Sequence, residues 1–444
     1  MSAVPTIVVG SSTMPVPARL RRRWLQFSLR SLTIFMVVCS VLLGAFGWRL
    51  QRARKQASAV AVLKSQGAEV GYEYCVRLNA DGAYEFKKGS YNSPIPGFLR
   101  RLLGDDFFHD VYVVLQHSAK SQAELDSSWN LIGEFPKLKI LQISGNGSHG
   151  PGIVNLRRTP ELQAILIDGG NATSDELAVF AALPELRELR CWRSEFDDSL
   201  LSRISELPNL RSLDIRAPHI TKAGMDAIAK HKELEGLVLR PGPLGNREME
   251  PLAKLSRLRH LIIEEGEFDD LGMKSLSKLE NLERLGIEDA PVGDEGMKYL
   301  GALPNLRYLN LENTRVGNDG LRSLTPLTKL QELNLKKTSV DDDGLPSLEQ
   351  FSSLRQLRLD STGITDAGLA KTKLSTSLTQ LTLNNSQVTD AGLESLTNLK
   401  SLKHVSAHQT GVTIVGATEL KKAVPGCTVS YSPSRGNPLS AKSK

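Results

Sequence analysis

From Leu138 onward the chain repeats one pattern of apolar and polar positions every 24 residues. Leucine stands at 138, 162, 186, 210, 234, 258, 282, 306, 330, 354, 378 and 402, with no insertion or deletion between copies. Three positions further on every copy has an aliphatic residue, from Leu141 and Ile165 through Leu309 to Leu381 and Val405. Five positions on the series continues with Ile143, Ile167, Cys191, Ile215, Leu239, Ile263, Ile287, Leu311, Leu335, Leu359, Leu383 and Ala407. In this L-x-x-L-x-L pattern the fourth and sixth positions are two apart and share one face of a strand. Twelve such strands stacked in register give a parallel sheet over one continuous aliphatic core, because each copy buries its apolar face only against its neighbours. The expected fold is therefore α/β: a solenoid with parallel strands on a concave face and short helices on a convex face.

The second half of each copy has its own logic. In repeat eight Val316 returns the chain to the core, and Leu321, Leu324 and Leu327 fall three apart, as in a short helix facing inward. Two residues after that valine position stands Asp270, Asp294, Asn318, Asp342, Asp366 or Asp390, suited to start the helix by accepting backbone N–H bonds. Thr314, Thr338, Thr362, Ser386 and Thr410 are expected to bond the turn backbone and to form a ladder between repeats. The pattern weakens in places. Repeat five carries Pro241 and Pro243 in its turn, and repeat ten has Thr372 and Ser375 at apolar positions, with Leu374 placed to shift in. Repeat twelve reduces its strand to Val405 and Ala407. Residues 138–425 form the array, and 426–444 a closing strand and a disordered tail.

The turns Ile364-Thr365-Asp366-Ala367-Gly368-Leu369 and Val388-Thr389-Asp390-Ala391-Gly392-Leu393 resemble the I-T-D-x-G-L turn of the cysteine-containing subclass of leucine-rich repeats. Its best-known members are substrate receptors of F-box ubiquitin ligases. The resemblance covers residues 138–425 and implies a horseshoe that binds a partner on its concave side. An F-box would precede the repeats, and an apolar segment stands there instead, so the ligase role is not carried over. The layout of arginine-flanked apolar segment, Gly104-Asp105-Asp106-Phe107-Phe108 and then repeats looks like that of bacterial membrane-anchored repeat proteins of unassigned function.

That apolar segment, residues 31–48, holds eighteen residues without a charge. As a helix it would be about 27 Å long, close to the hydrocarbon thickness of a bilayer. Arginines flank it, and Trp24 and Trp48 sit where interfacial aromatics are expected. The reading is a transmembrane signal anchor behind a basic tail, residues 1–30. A cleaved signal peptide would need a clearer small-residue site before Arg49, and a buried core helix would need covering elements that the neighbouring sequence lacks. Arg21-Arg22-Arg23-Trp24-Leu25-Gln26 loosely matches a twin-arginine export signal. Ser40 and Gly44 form a small-xxx-small pair that would let two helices approach. With five basic residues before the segment and four just after, charge hardly decides orientation; the short tail inside and the repeats outside the cytoplasm is the preferred arrangement.

Residues 49–137 read as a helical stalk and N-terminal cap. Residues 49–66 favour helix, with Leu50, Ala53, Ala57 and Val60 on one face and Gly67 as its stop. Residues 68–92 alternate around Asn79-Ala80-Asp81-Gly82, as in a hairpin. Phe98, Leu99, Leu102 and Leu103 suggest a short amphipathic helix, and Val111–Leu115 a strand. Trp129, Ile132 and Phe135 lead into Leu138 as half a repeat. An array needs such a cover, or its core would meet water.

Composition alters the picture at one point. The net charge is +6, but residues 1–55 carry nine basic residues and no acid, so the other 46 basic residues face 49 acidic ones. The repeat region is slightly acidic, which argues against a nucleic-acid partner. Four cysteines make no disulfide framework, and Cys191 is a core residue. No metal-ligand, phosphate-loop or nucleophile-elbow motif occurs. His404 and His408 lie about 13 Å apart on a strand, too far to share a metal. The expectation is a protein that is not an enzyme, without cofactor or small-molecule substrate.

Positions between the core leucines point to the concave face. Arg190, Trp192, Arg193, Arg216 and Arg240 form a basic and aromatic patch, and Glu264, Glu288 and Glu312 an acidic one, with Tyr308 and Asn310 inside it and Lys336 and Arg358 beyond. The bland reading is a solvated sheet face. The functional one is a charge-banded docking surface for a protein or envelope polymer, with Trp192 as anchor. Three roles remain open: a membrane-tethered binding module, a structural envelope component without a discrete ligand, and an intracellular adaptor of ligase type.

Overall fold

The structure, a computed structural model, describes residues 29–78, 84–86, 93–116, 121–145 and 150–433. The tail up to residue 28 with Trp24 and the arginine run, the Asn79–Gly82 turn and the segment after residue 433 lie outside the described residues. The chain divides into two compact units, residues 1–54 and 55–444.

Helix α1, Leu29–Ser65, contains the uncharged run. Among the described residues it is the one helix long and apolar enough to cross a membrane, and the side chains of its most apolar stretch are not buried in the protein. The end of α1 belongs to the second unit. There Gln56, Ala59, Val60 and Leu63 are buried, at the i, i+3, i+4, i+7 spacing of a helix face against a core. That face is rotated from the expected one, since Ala57 is only half-buried. The reason is polar. Gln56 Nε2 donates to Asp106 Oδ1 (2.9 Å) and to the His109 carbonyl (2.8 Å), so an amide occupies a site that an apolar count overlooks. Gly67, at φ +85°, ends the helix in the left-handed region that glycine adopts without penalty.

The strand Glu69–Tyr72 follows and pairs antiparallel with Val111–Gln116. The expected hairpin lies beyond it, Val76–Leu78 against Tyr84–Phe86. Helices α2, Gly97–Leu103, and α3, Asp105–Phe108, come next. His109, buried after α3, joins Ser93 Oγ (2.8 Å from Nε2) to Glu73 Oε1 (3.0 Å from Nδ1). Ser93 Oγ also accepts the Ile95 amide, so the hydroxyl serves a turn and the three residues tie three segments of the cap together. Helix Gln122–Ile132 buries Trp129 and Ile132, with Phe135 behind them.

From Val111–Gln116 onward every strand pairs in parallel with the next, giving one fifteen-stranded sheet that starts with the antiparallel Glu69–Tyr72 and ends with Thr428–Pro433. The register is the 24-residue period itself: Leu261 faces Leu285, Leu285 faces Leu309 and Leu309 faces Leu333. The leucines of the pattern form one buried cluster, and Val316, Leu321, Leu324 and Leu327 join it from the other side. Leu374 enters the core as expected. Repeat twelve departs from expectation: its strand is not weak but spans His404–Thr410, because Thr428–Pro433 continues the pairing through Thr410.

Two ladders join the repeats, and neither is made by the threonines. Thr314, Thr338, Thr362, Ser386 and Thr410 each donate to the carbonyl three residues back, at 2.6 to 2.8 Å within their own repeat. The first ladder comes from the aspartates expected to start their own helices. Asp270, Asp294, Asp342, Asp366 and Asp390 instead accept the backbone N–H of Gly293, Gly317, Thr365, Thr389 and Thr413 in the following repeat, at 2.6 to 2.8 Å. Where a helix has a side-chain cap it comes from the residue one earlier, as where Thr365 Oγ1 accepts the Ala367 N–H (3.1 Å), while Gly293 and Gly317 supply none. The second ladder lies on the other face of the sheet.

Candidate functional site

That other face carries three outward columns, two, four and six residues after each leading leucine. Seven residues after the leading leucine, most repeats place a residue in the left-handed region: Arg193, Glu265, Asp289, Asn313, Lys337, Ser361, Asn385 and Gln409 have φ between 54° and 64°. In repeats four and five this place falls to Ala217 and Pro241, and the strands run straight through it as a pair. Proline cannot adopt positive φ.

The structure brings the basic and aromatic patch together and neutralises most of it from within. Arg190 Nε lies 2.5 Å from Glu188, Arg193 meets Asp168 at 2.8 Å, and Arg216 meets Glu195 at 2.7 Å. Asp214, only 7 % exposed, stands at the centre. It accepts the Trp192 indole N–H (2.9 Å) and lies 2.5 Å from Arg240, whose Nε is 3.1 Å from Glu264. Burial opposes charge on Arg240, but the two carboxylates outweigh it and hold its pKa up. Trp192 is thus a half-buried ring pinned by its nitrogen, with its remaining surface open.

The acidic patch forms a row. Glu264 faces Glu288 across paired strands, and strands in a sheet lie about 4.8 Å apart. The two ends of the row have cations, Arg240 at Glu264 and Lys336 at Glu312 (2.6 Å). Glu288 in the middle has Asn310 Nδ2 at 2.6 Å. Burial first, then Glu264 and Glu312, push the Glu288 carboxyl above its ordinary range. Lys336 is held above its usual value by its bond to Glu312.

Asn310 does not belong to the presented surface. It is 5 % exposed, and its Oδ1 accepts the Glu312 amide (3.0 Å) while its Nδ2 holds Glu288. Asn334 repeats the arrangement one repeat on, with Glu312 (3.2 Å) and the Lys336 amide (3.0 Å). Asp360, Asn384 and Ser406 extend this second ladder: Asn384 N donates to Asp360 (2.9 Å) and Ser406 Oγ to Asn384 (2.8 Å). Tyr308 is half-buried, with the Arg284 guanidinium 4.2 Å from its ring centroid. Burial and then Glu288 raise the Tyr308 pKa. Arg358 is exposed, and among the described residues no carboxylate pairs with it.

Sequence reasoning missed Asp214, Glu188, Glu195, Arg284 and Asp360. Following the column two residues after each leucine would have found Glu188 and Arg284. Asp214 and Asp360 fall in the columns already read, passed over because a carboxylate among arginines interrupts a patch of one sign. Among the described residues no group of three or more His, Cys, Asp or Glu is placed to hold a metal ion.

A face of this kind is an array of fixed, solvent-facing side chains on a rigid sheet, with charges balanced locally and a few groups left over. It can recognise a surface.

The comparisons bear on the fold. A family model described as a leucine-rich repeat region matches residues 198–424. No curated protein matches the sequence. Among solved structures, an internalin from Listeria monocytogenes is 17 % identical, with a TM-score of 0.51 over 75 % of this chain and 92 % of that one. A leucine-rich repeat protein of Leptospira interrogans is 18 % identical, with a TM-score of 0.40 over 71 % of this chain and 100 % of that one. The ectodomain of a plant receptor kinase from Arabidopsis thaliana is 17 % identical, with a TM-score of 0.41 over 69 % of this chain and 42 % of that one. The in-register leucine core, the parallel sheet with helices behind it and a family match over half of the sequence agree: the chain belongs to the leucine-rich repeat family.

Proposed function

We propose that this protein is a membrane-anchored interaction module that recognises a protein or an envelope polymer through the concave, strand face of its solenoid. Residues 31–48 serve as the membrane span, 49–137 as stalk and cap, 138–425 as the binding array, and 426–444 as the closing strand and tail. The repeats lie outside the cytoplasm, and the resemblance of the turns to I-T-D-x-G-L supports a reading of them as the cysteine-containing subclass. Leucine-rich repeat domains typically bind proteins, and a curved stack offers a long surface for that.

One observation carries the reading. The strand face holds two large side chains fixed in place yet open to solvent, Trp192 held by Asp214 and Tyr308 under Arg284, together with the exposed Arg358, which has no carboxylate partner among the described residues. Preorganised aromatic and arginine side chains are the usual anchors of an interface.

The test begins with crosslinking of the full-length protein in intact cells to isolate a partner. The variants Trp192→Ala and Arg358→Glu are then titrated against it. Affinity should fall by about tenfold or more for Trp192→Ala, the loss of one anchor. Unchanged affinity in both variants removes the strand face from the account. Protease access to the repeats in intact cells against spheroplasts decides the side of the membrane, and protection in intact cells with cleavage only after lysis would turn the reading toward an intracellular adaptor.

A further inference from the structure

Helix α2 turns its apolar side chains the wrong way for a soluble domain. Phe98 is 63 % exposed and Leu102 75 %, and the two lie one turn apart on the same face. Pro94 and Pro96, just ahead of the helix, are exposed as well. Arg101 is exposed on that face, whereas Arg100 is committed to Asp105 by two bonds, one of 2.8 Å. Leu99 and Leu103 point back toward the cap and are half-buried. The result is a short helix with an apolar outer ridge and an arginine beside it.

The same helix belongs to a unit joined to the apolar run by a short length of chain. The Arg100–Asp105 pair joins α2 to α3, and Asp106 of α3 takes the amide of Gln56, which also bonds the His109 carbonyl. Gln56 comes eight residues after Trp48, the end of the uncharged run. Eight residues of chain reach at most about 28 Å even when fully extended. Whatever surface Trp48 meets is therefore within reach of the cap.

We propose that the exposed face of α2 docks on the lipid bilayer, with Phe98 and Leu102 entering the boundary between headgroups and acyl chains and Arg101 meeting lipid phosphates. This rests on the anchored reading of residues 31–48. An amphipathic helix lies in the interface in this way, its apolar side among the acyl chains, and a guanidinium matches phosphate oxygens with paired hydrogen bonds. Two exposed apolar side chains on so short a helix would bind a bilayer poorly alone. The covalent leash supplies a high effective concentration, so a weak contact suffices.

The experiment uses the full chain in vesicles of phosphatidylcholine and phosphatidylglycerol whose acyl chains carry a doxyl quencher. Cys39 and Cys75 are replaced by serine, and an NBD fluorophore is attached at Leu102→Cys, at Ser40→Cys inside the apolar run, or at Leu271→Cys. Leu271, 70 % exposed on a helix of repeat six, is a control of similar exposure. The probes at positions 40 and 102 should lose most of their emission and the probe at 271 should keep it. Adding Phe98→Asp and Arg101→Glu, both at exposed positions, should restore emission at 102. A quenched probe at 40 with 102 as bright as 271 overturns the docking and leaves the anchor intact. Bright probes at both 40 and 102 overturn the anchor and the docking together. Quenching at 102 that persists in the double variant shows the dye partitioning by itself and also overturns the docking.

Discussion

At the scale of single residues, the D-x-G of the repeat turn is explained by contact between repeats. A Cβ on Gly320 would stand 2.5 Å from Asp294 Oδ1, and one on Gly296 would stand 2.7 Å from Asp270 Oδ1. Each glycine thus leaves room for the carboxylate of the preceding repeat, which at that place bonds the next turn, as Asp294 bonds the Gly317 amide at 2.6 Å. Gly320→Ala should destabilise the protein by about 1–3 kcal/mol, the usual range for forcing atoms into a packed site. Asp294→Ala should cost about 1 kcal/mol for the lost hydrogen bond. The double variant should be less destabilised than the sum, because removing the carboxylate frees the space. Urea unfolding of the full chain in detergent would measure this cycle, and strict additivity would refute the steric account. The threonines teach the converse. A hydroxyl that can serve as a ladder rung serves its own turn instead, because the carbonyl three residues back is already in reach.

At the scale of elements, in-register stacking multiplies each side chain's chemistry along a column. Leucine over leucine gains burial at every step. Glutamate over glutamate gains repulsion, and like charges directly opposite weaken a sheet. Glu288 shows the result: its carboxyl titrates above the ordinary glutamate value through burial and its two glutamate neighbours. A raised acid pKa means that the folded state holds its proton more tightly than the unfolded state. Its stabilising contribution is full below the unfolded-state pKa and is lost as pH rises through the folded-state value. Glu288→Gln should therefore raise the thermal midpoint at pH 7, and the gain should shrink as pH falls through the raised folded-state value towards the ordinary glutamate value of 4.5, below which it should level off. Thermal melts of both proteins across that range would check this. A constant difference at all pH values would assign the effect to something other than titration. The basic patch behaves differently because its arginines alternate with Glu188, Asp214 and Glu195, and the sheet settles its own charges there.

At the scale of the whole molecule, contacts run from each repeat to its neighbours, so damage should remain local. Leu381 pairs with Leu357 and Val405 and is fully buried. Leu381→Ala should cost about 2–5 kcal/mol. Amide hydrogen exchange should speed up in repeats ten to twelve and in the closing strand well before repeats three to five. Uniform acceleration along the chain would show a single cooperative unit instead. The antiparallel strand Glu69–Tyr72 explains how the parallel run begins without a bare edge: it reverses direction and covers Val111–Gln116, while the end of α1 and the Trp129 helix fill the core behind.

The amino-acid sequence by itself determined the period, the parallel register, the identity of the core and the presence of a cover at its start. All of these follow from where apolar side chains recur, and burial of apolar surface is nearly indifferent to detail. The apolar run of residues 31–48 was legible for the same reason. Only the tertiary structure decided who bonds whom. It gave Asp294 to the next repeat, Trp192 to Asp214, Asn310 to the interior and Arg240 to two carboxylates at once. Hydrogen bonds and ion pairs depend on direction and on distances of a few tenths of an ångström, between residues 22 to 26 positions apart. A linear pattern carries the spacing of such partners but not the choice among them.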